Sequence, residues 1–455
     1  MKHQFLSKWK GVLLIGACIF LISAGSALGA GFALVEQSVS GLGNAFAGGS
    51  AGAEDATTIF YNPAGMTRLS DQQFILGAHV IIPSVKFDNQ DSTHVLQGST
   101  GQPLSGGNGG DGGVTKLVPN LYYSKKLSDR FVMGIGMNVP FGLATKYDDT
   151  WVGRYHAVES DVLTININPS LAYEVNDHLS IGAGFSTQYM KAKLSQAIDF
   201  GTIAFVQLGA PTATALGLSP QSSDGFASME GDSWGYGFNL GVLYEFTKTT
   251  RIGTAYRSRI KQSLEGDIDY SNVPSVFSSA STFQDKDVKA DITFPESLSV
   301  SFFHQFNPQW MVMADFTWTN WKVFNELKIV DNQGNEVSKT TYDWQDSYRY
   351  SLGVTYVPNN YLTLRAGTAY DTSAVPNAQL RTPRIPDEDR IWLALGAGYK
   401  LSNKVSFDLG YAHLFINDPK IDKDLTNEEN TIQGGLKGTY DAHTDILSAQ
   451  LTVTF

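Results

Sequence analysis

The sequence predicts an all-β protein, a 14-stranded antiparallel transmembrane β-barrel with an N-terminal hatch packed in its lumen. Three observations predict this fold. Apolar and polar residues alternate with a period of two along most of the chain, the connections between these segments are short and long in turn, and a glycine- and alanine-rich segment precedes the first of them. Such alternation is typical of strands that turn one face to lipid.

Residues 1–29 predict a secretory signal peptide. Lys2, Lys8 and Lys10 precede an apolar run over 11–22, and small residues follow at 27–29. The run is too short for a transmembrane helix. A lipoprotein cleavage box at 15–18 is the alternative, which the apolar residues beyond Cys18 disfavour. Cys18 is the only cysteine, so the mature chain has no disulfide or thiol chemistry.

The composition argues against several classes of function. The net charge is −11, and loss of the three lysines with the leader makes it −14. An acidic chain without basic runs argues against a nucleic-acid partner. The seven mature histidines are scattered and no nucleophile motif is recognised, so we expect no catalytic residues, no cofactor and no metal site.

The hatch is predicted over residues 30–71. It shows no strand alternation and is rich in small residues, which permit close backbone packing. A barrel of fourteen strands encloses more space than its own side chains fill, so a plug or water must occupy the rest. The segment is therefore expected inside the barrel, which the prediction places over residues 72–455.

The hatch contains a helix-start motif, which consists of Asn62, Pro63 and Ala64. Pro63 disfavours helix at Asn62, and Asn62 can then cap a short helix that begins with Pro63. We interpret the three residues as part of a gate. The alternative is an ordinary helix cap with no gating role.

Fourteen segments are predicted as strands: 72–82, 117–126, 131–138, 160–174, 178–195, 233–246, 250–264, 289–306, 310–328, 338–357, 361–372, 389–400, 404–415 and 441–455. The short connections contain Asn, Asp, Pro and Lys, as tight turns require. Short turns at one end and long loops at the other indicate an outer-membrane barrel. Closure follows because an open edge in lipid would leave backbone groups unpaired, at several kcal/mol each, roughly.

Several motifs together resemble one known family. They are residues 31–66 (GFALVEQSVSGLGNAFAGGSAGAEDATTIFYNPAGM), 139–149 (VPFGLATKYDD), 151–161 (WVGRYHAVESD), 165–175 (ININPSLAYEV) and 385–402 (IPDEDRIWLALGAGYKLS). The sequence resembles the long-chain fatty acid transporters of Gram-negative outer membranes, a family that includes aromatic-hydrocarbon transporters. The resemblance covers essentially the whole mature chain.

The resemblance implies a monomeric plugged barrel in the outer membrane, surrounded by lipid and lipopolysaccharide. A hydrophobic substrate would be captured at extracellular loops, reach an internal site and leave through a lateral gap. The resemblance places that gap at a kink of the third strand near Gly142. Pro140 and Gly142 would both interrupt a strand ladder.

Two predicted extracellular loops are unexpectedly apolar. Phe205 and Leu208 lie in the loop 196–232, and Phe277 lies in the loop 265–288. Exposed apolar surface often marks binding. We take these three residues and Phe32 as candidates for ligand binding. The alternative is that the two loops pack on each other.

The sequence departs from the family at the carboxylate site. Fatty-acid-transporting members are expected to place basic residues just after the YxxAK pattern of the fifth strand and just before DxYR of the tenth. Gln196 and Gln345 occupy these positions, and glutamine lacks the charge that strengthens carboxylate binding. The residues that could substitute are Lys191, Lys193, Lys322 and Arg349.

These observations leave three classes of function in competition. A plugged transporter for hydrophobic molecules fits the hatch and the apolar loops, with long-chain fatty acids as the first substrate and neutral aromatic or aliphatic hydrocarbons as the alternative. An aqueous porin would require a charged constriction and would have no plug. A barrel hydrolase would need a nucleophile beside a histidine. We therefore predict a transporter and not an enzyme.

Overall fold

The computed structural model describes residues 31–70, 72–100 and 102–455. The predicted signal peptide lies outside the described residues. Within them most of the chain is strand, and no helix is both long and apolar enough to cross a membrane.

The β segments, numbered β1 to β20, are Gln72–Asn89, Lys116–Lys126, Phe131–Asn138, Gly142–Lys146, Glu159–Asn176, Leu179–Asp199, Asp224–Thr247, Thr250–Arg257, Ile260–Ser271, Lys286–Phe294, Ser297–Asn307, Trp310–Thr319, Glu326–Asp331, Glu336–Thr341, Ser347–Tyr356, Leu362–Asp371, Arg390–Ser402, Val405–Ile416, Lys420–Lys423 and Leu436–Thr454. The helices, α1 to α6, are Val39–Gly43, Gly49–Gly52, Thr58–Tyr61, Gln97–Thr100, Phe200–Leu208 and Ala210–Ala215. Within the described residues, four 3₁₀ helices lie at Pro63–Arg68, Ser281–Phe283, Trp321–Val323 and Glu428–Asn430.

The twenty β segments of the described chain form one closed barrel of fourteen antiparallel strands. Six of the strands consist of two consecutive segments, namely β3 with β4, β8 with β9, β10 with β11, β12 with β13, β14 with β15 and β18 with β19. The barrel closes because β1 pairs with β2 on one side and with β20 on the other. The prediction of a 14-stranded barrel is confirmed.

Four strands predicted as continuous are interrupted. The predictions over 250–264, 289–306, 310–328 and 338–357 are wrong at 258–259, 295–296, 320–325 and 342–346. Pro295 has no N–H to donate to a ladder. The two longer breaks carry large aromatic side chains that are buried inside the barrel, namely Trp321, Phe324, Tyr342 and Trp344. Burial of these rings offsets the lost ladder bonds.

The strands also run further than the alternation predicts. The β1 ladder with β20 continues to Asn89, and the β6 ladder with β7 continues to the pair Asp199 and Asp224. The predicted loops 83–116 and 196–232 are therefore shorter in the structure. Backbone pairing continues there although the apolar outward face has ended, so the hydrophobic pattern alone could not show it.

The outward faces match the predicted lipid contact. Phe407 and Leu409 on β18, Phe185 on β6 and Leu447 on β20 are all exposed, and Leu409 leaves 62% of its surface accessible. The residues between them are small or polar and face inward. A large exposed apolar face on every such strand is what a lipid-facing barrel requires.

The described part of the hatch, 31–70, lies inside the barrel. Helix α1 contacts β17 and β18, α2 contacts β8 and β11, and the 3₁₀ helix Pro63–Arg68 contacts β5, β6 and β7. Small residues make this possible, since a Cβ atom added to Gly43 would lie 2.8 Å from the Cα atom of Gly396 on β17. The helices therefore sit directly against the backbone of the wall.

Candidate functional site

The third strand is broken at Val139, Pro140 and Phe141, between β3 and β4. Its ladder with β2 ends at the pair Leu121 and Met137, whereas residues 116–120 of β2 continue to pair with β1. We call the break between residues 116–120 and 139–141 the wall gap. Pro140 accounts for part of it, because it cannot donate to a neighbouring strand.

The first residues of the hatch close the wall gap from inside. The Leu34 N–H donates to the Pro140 carbonyl (2.8 Å), and the Gly142 N–H donates to the Phe32 carbonyl (3.0 Å). Ala33 and Phe141 therefore face each other in a short antiparallel bridge. Residues 32–34 take the place of the missing strand partner.

Gln37 completes this closure with its side chain. Its Nε2 atom donates to the Val139 carbonyl (2.6 Å), and its Oε1 atom accepts from the Val139 N–H (3.2 Å). One carboxamide thus satisfies both backbone groups of a residue that has left the ladder. No sequence pattern marked Gln37, since the bond depends on a contact between distant parts of the chain.

An apolar cavity, which we call the upper cavity, lies between the wall and the extracellular loops. It encloses about 740 Å³ of space between atoms, its open mouth included. Apolar side chains dominate the lining, among them Phe32, Leu143, Val162, Met190, Leu264 and Ile292.

Phe32 stands at the lower end of this cavity, among five other aromatic rings. Its ring centroid is 4.9 Å from that of Trp321, and the rings of Phe141, Phe294, Phe324 and Trp344 lie within 6.1 Å. Aromatic contacts of this kind add about 0.5–1.5 kcal/mol each beyond area burial. Phe32 therefore belongs both to the lining of the upper cavity and to a packed group of aromatic rings.

A second cavity, the lower cavity, borders the wall gap. Leu34, Pro140 and Phe141 line one side of it. Its opposite side is charged: Arg349 and Arg390 both bond the carboxylate of Asp371, at 2.9 and 2.7 Å. Arg349, one of the predicted substitutes for a basic pair, is therefore internal but already paired.

Glu36 is a buried acid of the hatch. It is 2% exposed, and its Oε2 atom has no hydrogen-bond partner in the described structure. Burial raises the pKa of Glu36 to about 7, although its own backbone N–H and the charges of Arg390 and Arg349 act in the opposite direction. The hatch thus contains a carboxyl group that titrates near neutral pH.

The predicted helix cap at Asn62 is present. Its side chain accepts from the Ala64 N–H (3.0 Å), and Pro63 begins the 3₁₀ helix. The Nδ2 atom of Asn62 also donates to the carbonyls of Ser50 in α2 (2.6 Å) and Val242 in β7 (3.0 Å). The residue therefore ties two parts of the hatch to the wall. Its predicted gating role stays a prediction.

Gln196 and Gln345 lie apart. Gln196 accepts a hydrogen bond from Arg384 (3.1 Å) beside the upper cavity. Gln345 is exposed, donates to the Ser373 carbonyl (3.3 Å) and lines neither cavity. The three lysines considered as substitutes belong to ion pairs, Lys191 with Glu230, Lys193 with Glu159 and Lys322 with Asp346.

Arg384 was missed by the sequence analysis. It lines the upper cavity and is almost fully buried. The only signal in the sequence is a run of arginines, Arg381, Arg384 and Arg390, in an acidic chain. Nothing in their spacing shows which of them turns inward.

The apolar extracellular loops pack largely on each other. Phe277 is buried against Phe200 of α5, with 5.7 Å between ring centroids, and Phe205 and Leu208 are half-buried. The same region leaves Val206 65% exposed. Phe205, Leu208 and Phe277 line neither the upper nor the lower cavity. Leu208 and Phe277 belong to a separate cluster around Phe200 in the extracellular loops.

The comparisons with known proteins agree on one family. The model described as outer membrane protein transport protein (OMPP1/FadL/TodX) matches residues 20–455. A long-chain fatty acid transport protein of Escherichia coli O6:H1 is 33% identical over 414 residues, covering 88% of this chain and 90% of the relative. Outer membrane protein P1 of Haemophilus influenzae is 33% identical over 416 residues, covering 88% of each chain.

A solved structure has the same architecture. The crystal structure of a Pseudomonas aeruginosa FadL homologue superposes with a TM-score of 0.82 at 26% identity, covering 93% of this chain and 99% of that one. The resemblance inferred from the motifs is confirmed, as is the outer-membrane location. With its closed barrel and internal cavities, the chain belongs to the outer membrane protein transport family (OMPP1/FadL/TodX) and is an outer-membrane transporter.

Proposed function

We propose that this protein imports long-chain fatty acids and releases them sideways through the wall gap. One observation carries the proposal: an apolar cavity and a second cavity that borders the wall gap lie on either side of the segment 32–34. Apolar space beside an opening in the wall suits a substrate that partitions into lipid. The relatives named long-chain fatty acid transport proteins support this choice of substrate.

The proposed path has three stages. A hydrophobic molecule first contacts exposed apolar residues of the extracellular loops, such as Val206, and then enters the upper cavity. Displacement of Phe32 joins the upper cavity to the lower one. Separation of residues 32–34 from Pro140 and Gly142 then opens the wall gap. The lining of the upper cavity keeps the hydrocarbon chain of the substrate in apolar surroundings, which is favourable by about 25 cal/mol per Å² of apolar surface removed from water.

We further propose that the barrel works as a monomer surrounded by outer-membrane lipid and lipopolysaccharide. Closure of the ladder between β1 and β20 within one chain supports the monomer. The exposed apolar residues of the outward strand faces support lipid contact. As a transporter of this kind it would need no cofactor, no metal and no catalytic residue. Within the described residues no group of histidine and acidic side chains could hold a metal ion.

Uptake in cells that lack their own fatty-acid transporter tests the substrate. Cells that express the inserted barrel should take up labelled oleate and grow on it, and the purified barrel should carry fatty acid in native mass spectrometry. Absence of uptake by correctly inserted barrel, with a gain in sensitivity to toluene or alkanes, would assign neutral hydrocarbons instead. Free passage of small sugars would indicate an aqueous porin.

A reversible cross-link tests the route. Ala33 and Phe141 are a non-hydrogen-bonded antiparallel pair, whose Cα atoms lie about 4.5 Å apart, within disulfide range. The mature chain has no cysteine, so Ala33→Cys with Phe141→Cys introduces the only pair. Oxidation of the double variant should stop oleate uptake and reduction should restore it. Uptake by each single variant should not depend on the redox state. Equal uptake by the oxidised double variant contradicts lateral release here.

A further inference from the structure

The upper cavity has three charged residues in its lining, and two of them are neutralised. Glu230 lies 2.5 Å from the ammonium group of Lys191, and Lys289 lies 2.8 Å from the carboxylate of Glu265. Both pairs are largely exposed. The third residue, Arg384, is 7% exposed and differs from them in its partners.

The guanidinium of Arg384 bonds only to neutral oxygens. Its Nη1 atom donates to the Glu159 carbonyl (3.1 Å), the Ser160 hydroxyl (3.0 Å) and the Ser195 carbonyl (3.3 Å), and its Nη2 atom donates to Gln196 Oε1 (3.1 Å). Among the described side chains no carboxylate lies within 4 Å of it. A guanidinium has five N–H donors, so its Nε and one N–H of Nη2 remain available.

The charge of Arg384 is not offset by its surroundings. Burial lowers the pKa of Arg384, as expected where no anion compensates the charge. His156 lies nearby, and burial together with the charges of Lys423 and Arg384 lowers the pKa of His156 to about 3. An unpaired buried cation is costly, by several kcal/mol roughly. This end of the cavity therefore has an excess of positive charge.

We propose that Arg384 anchors the carboxylate of the substrate in the upper cavity and makes the site selective for a fatty acid anion over a neutral chain. This inference rests on the proposed function and names the recognition group for it. The apolar lining accommodates the hydrocarbon chain, and the free N–H groups of Arg384 donate to the carboxylate of the head group. Gln196 orients the guanidinium through its Oε1 atom, and so it is a positioning residue.

The backbone around Arg384 is held in place by the strand beyond the wall gap. Thr145 Oγ1 donates to the Arg384 carbonyl (3.2 Å), and the Tyr147 hydroxyl donates to the Pro383 carbonyl (2.9 Å). Thr145 belongs to β4, which begins at the wall gap. A fixed backbone presents the guanidinium at a defined height in the cavity, as selective binding requires.

Binding of oleate and of oleyl alcohol to the purified barrel tests the proposal. The two ligands share the chain and differ in the charged head. Gln196→Glu is nearly isosteric and places a competing carboxylate beside Nη2. It should weaken oleate binding about tenfold and change oleyl alcohol binding by less than about threefold, because charge-assisted hydrogen bonds are among the strong ones. Arg384→Met should have the same pattern, and Arg384→Lys should recover part of the preference.

Lys322→Met is the matched control, since it removes an exposed charge outside the cavity. It should leave both affinities unchanged. Equal weakening of both ligands by Gln196→Glu, or unchanged oleate binding, would overturn the role of Arg384. Wild-type protein that binds both ligands equally also overturns it while leaving the proposed function intact. Failure of wild-type protein to bind either ligand contradicts both.

Discussion

At the scale of single residues, Glu36 makes the hatch sensitive to pH. Its carboxyl group is protonated in the folded hatch up to about pH 7 but ionises near its ordinary pKa of about 4.5 when the hatch is unfolded. Between these values the unfolded state binds fewer protons than the folded state. The stability of the hatch therefore falls as the pH rises from about 4.5 to about 7.

Glu36→Gln should remove this dependence. The variant should match wild type at pH 4 and be more stable at pH 8, by up to about 3 kcal/mol. Hydrogen–deuterium exchange of peptides from residues 31–66, corrected for the intrinsic effect of pH, measures the difference. A wild-type hatch that is equally protected at pH 5 and pH 8 would contradict the prediction.

The Asn62 side chain caps a helix and also donates two hydrogen bonds, to Ser50 and Val242. Substitutions can separate these two roles. Asn62→Ala removes all three hydrogen bonds and leaves buried carbonyls unpaired, a loss of roughly 1–3 kcal/mol. We expect faster exchange in the hatch and lower uptake, with the melting temperature of the barrel unchanged. Asn62→Asp keeps the cap acceptor and loses the donors to Ser50 and Val242, so it should show an intermediate effect. Unchanged uptake in both variants would exclude a gating role.

Only some of these residues could be predicted from the sequence. The cap at Asn62 could be predicted because it depends on neighbours within the chain. Gln37 and Arg384 could not, since each acts on residues more than a hundred positions away. The same reason explains Gln345, which the family pattern suggested as a ligand residue and which the structure leaves outside both cavities.

At the scale of elements, the segment 32–37 supplies the hydrogen bonds that the interrupted third strand lacks at the wall gap. Gln37→Leu keeps a similar side-chain volume but leaves the buried N–H and carbonyl of Val139 unpaired. We expect faster amide exchange at residues 32–34 and 139–142 and about threefold faster initial uptake of oleate. Gln345→Leu, at an exposed position, should change neither. Unaltered exchange in Gln37→Leu would show that the closure does not depend on this carboxamide.

The interrupted strands show what a period of two can and cannot predict. Alternation located all fourteen strands because each has an outward apolar face. It missed the breaks in the seventh to tenth strands. In the ninth and tenth the reason is that Trp321 and Trp344 look like strand aromatics in a one-dimensional pattern. These rings instead line the lumen around Phe32. The proposed substrate path therefore runs past residues at which the regular strand pattern is interrupted.

At the scale of the whole molecule, the barrel and the hatch are separable. Every strand of the barrel has a wall partner, and the ladder closes between β1 and β20 without help from residues 31–66. Deletion of residues 31–66 should therefore leave a heat-modifiable, inserted barrel with a high ion conductance in planar bilayers, whereas the intact protein should conduct weakly. A deletion variant that fails to insert would show that the hatch is needed for folding.

The overall fold followed from the sequence more completely than the site did. Strand number, closure and the internal position of a small-residue segment follow from burial and backbone pairing, which act on the whole chain. The cavities depend on which side chains meet across the lumen. The shear and curvature of the barrel determine which side chains come into contact. Neither quantity can be derived from the alternation of residue types along the chain.

The closure of the wall gap by residues 32–34 uses backbone groups, which every amino acid except proline supplies alike. Selection of the cargo uses side chains such as Arg384 and the apolar lining of the upper cavity. Mutation of the cavity lining can therefore change what is carried without weakening these backbone bonds, and the seal can survive drift in sequence as long as Gln37 is kept. A barrel of this design is well suited to acquire new substrates in evolution while its host stays protected from leakage.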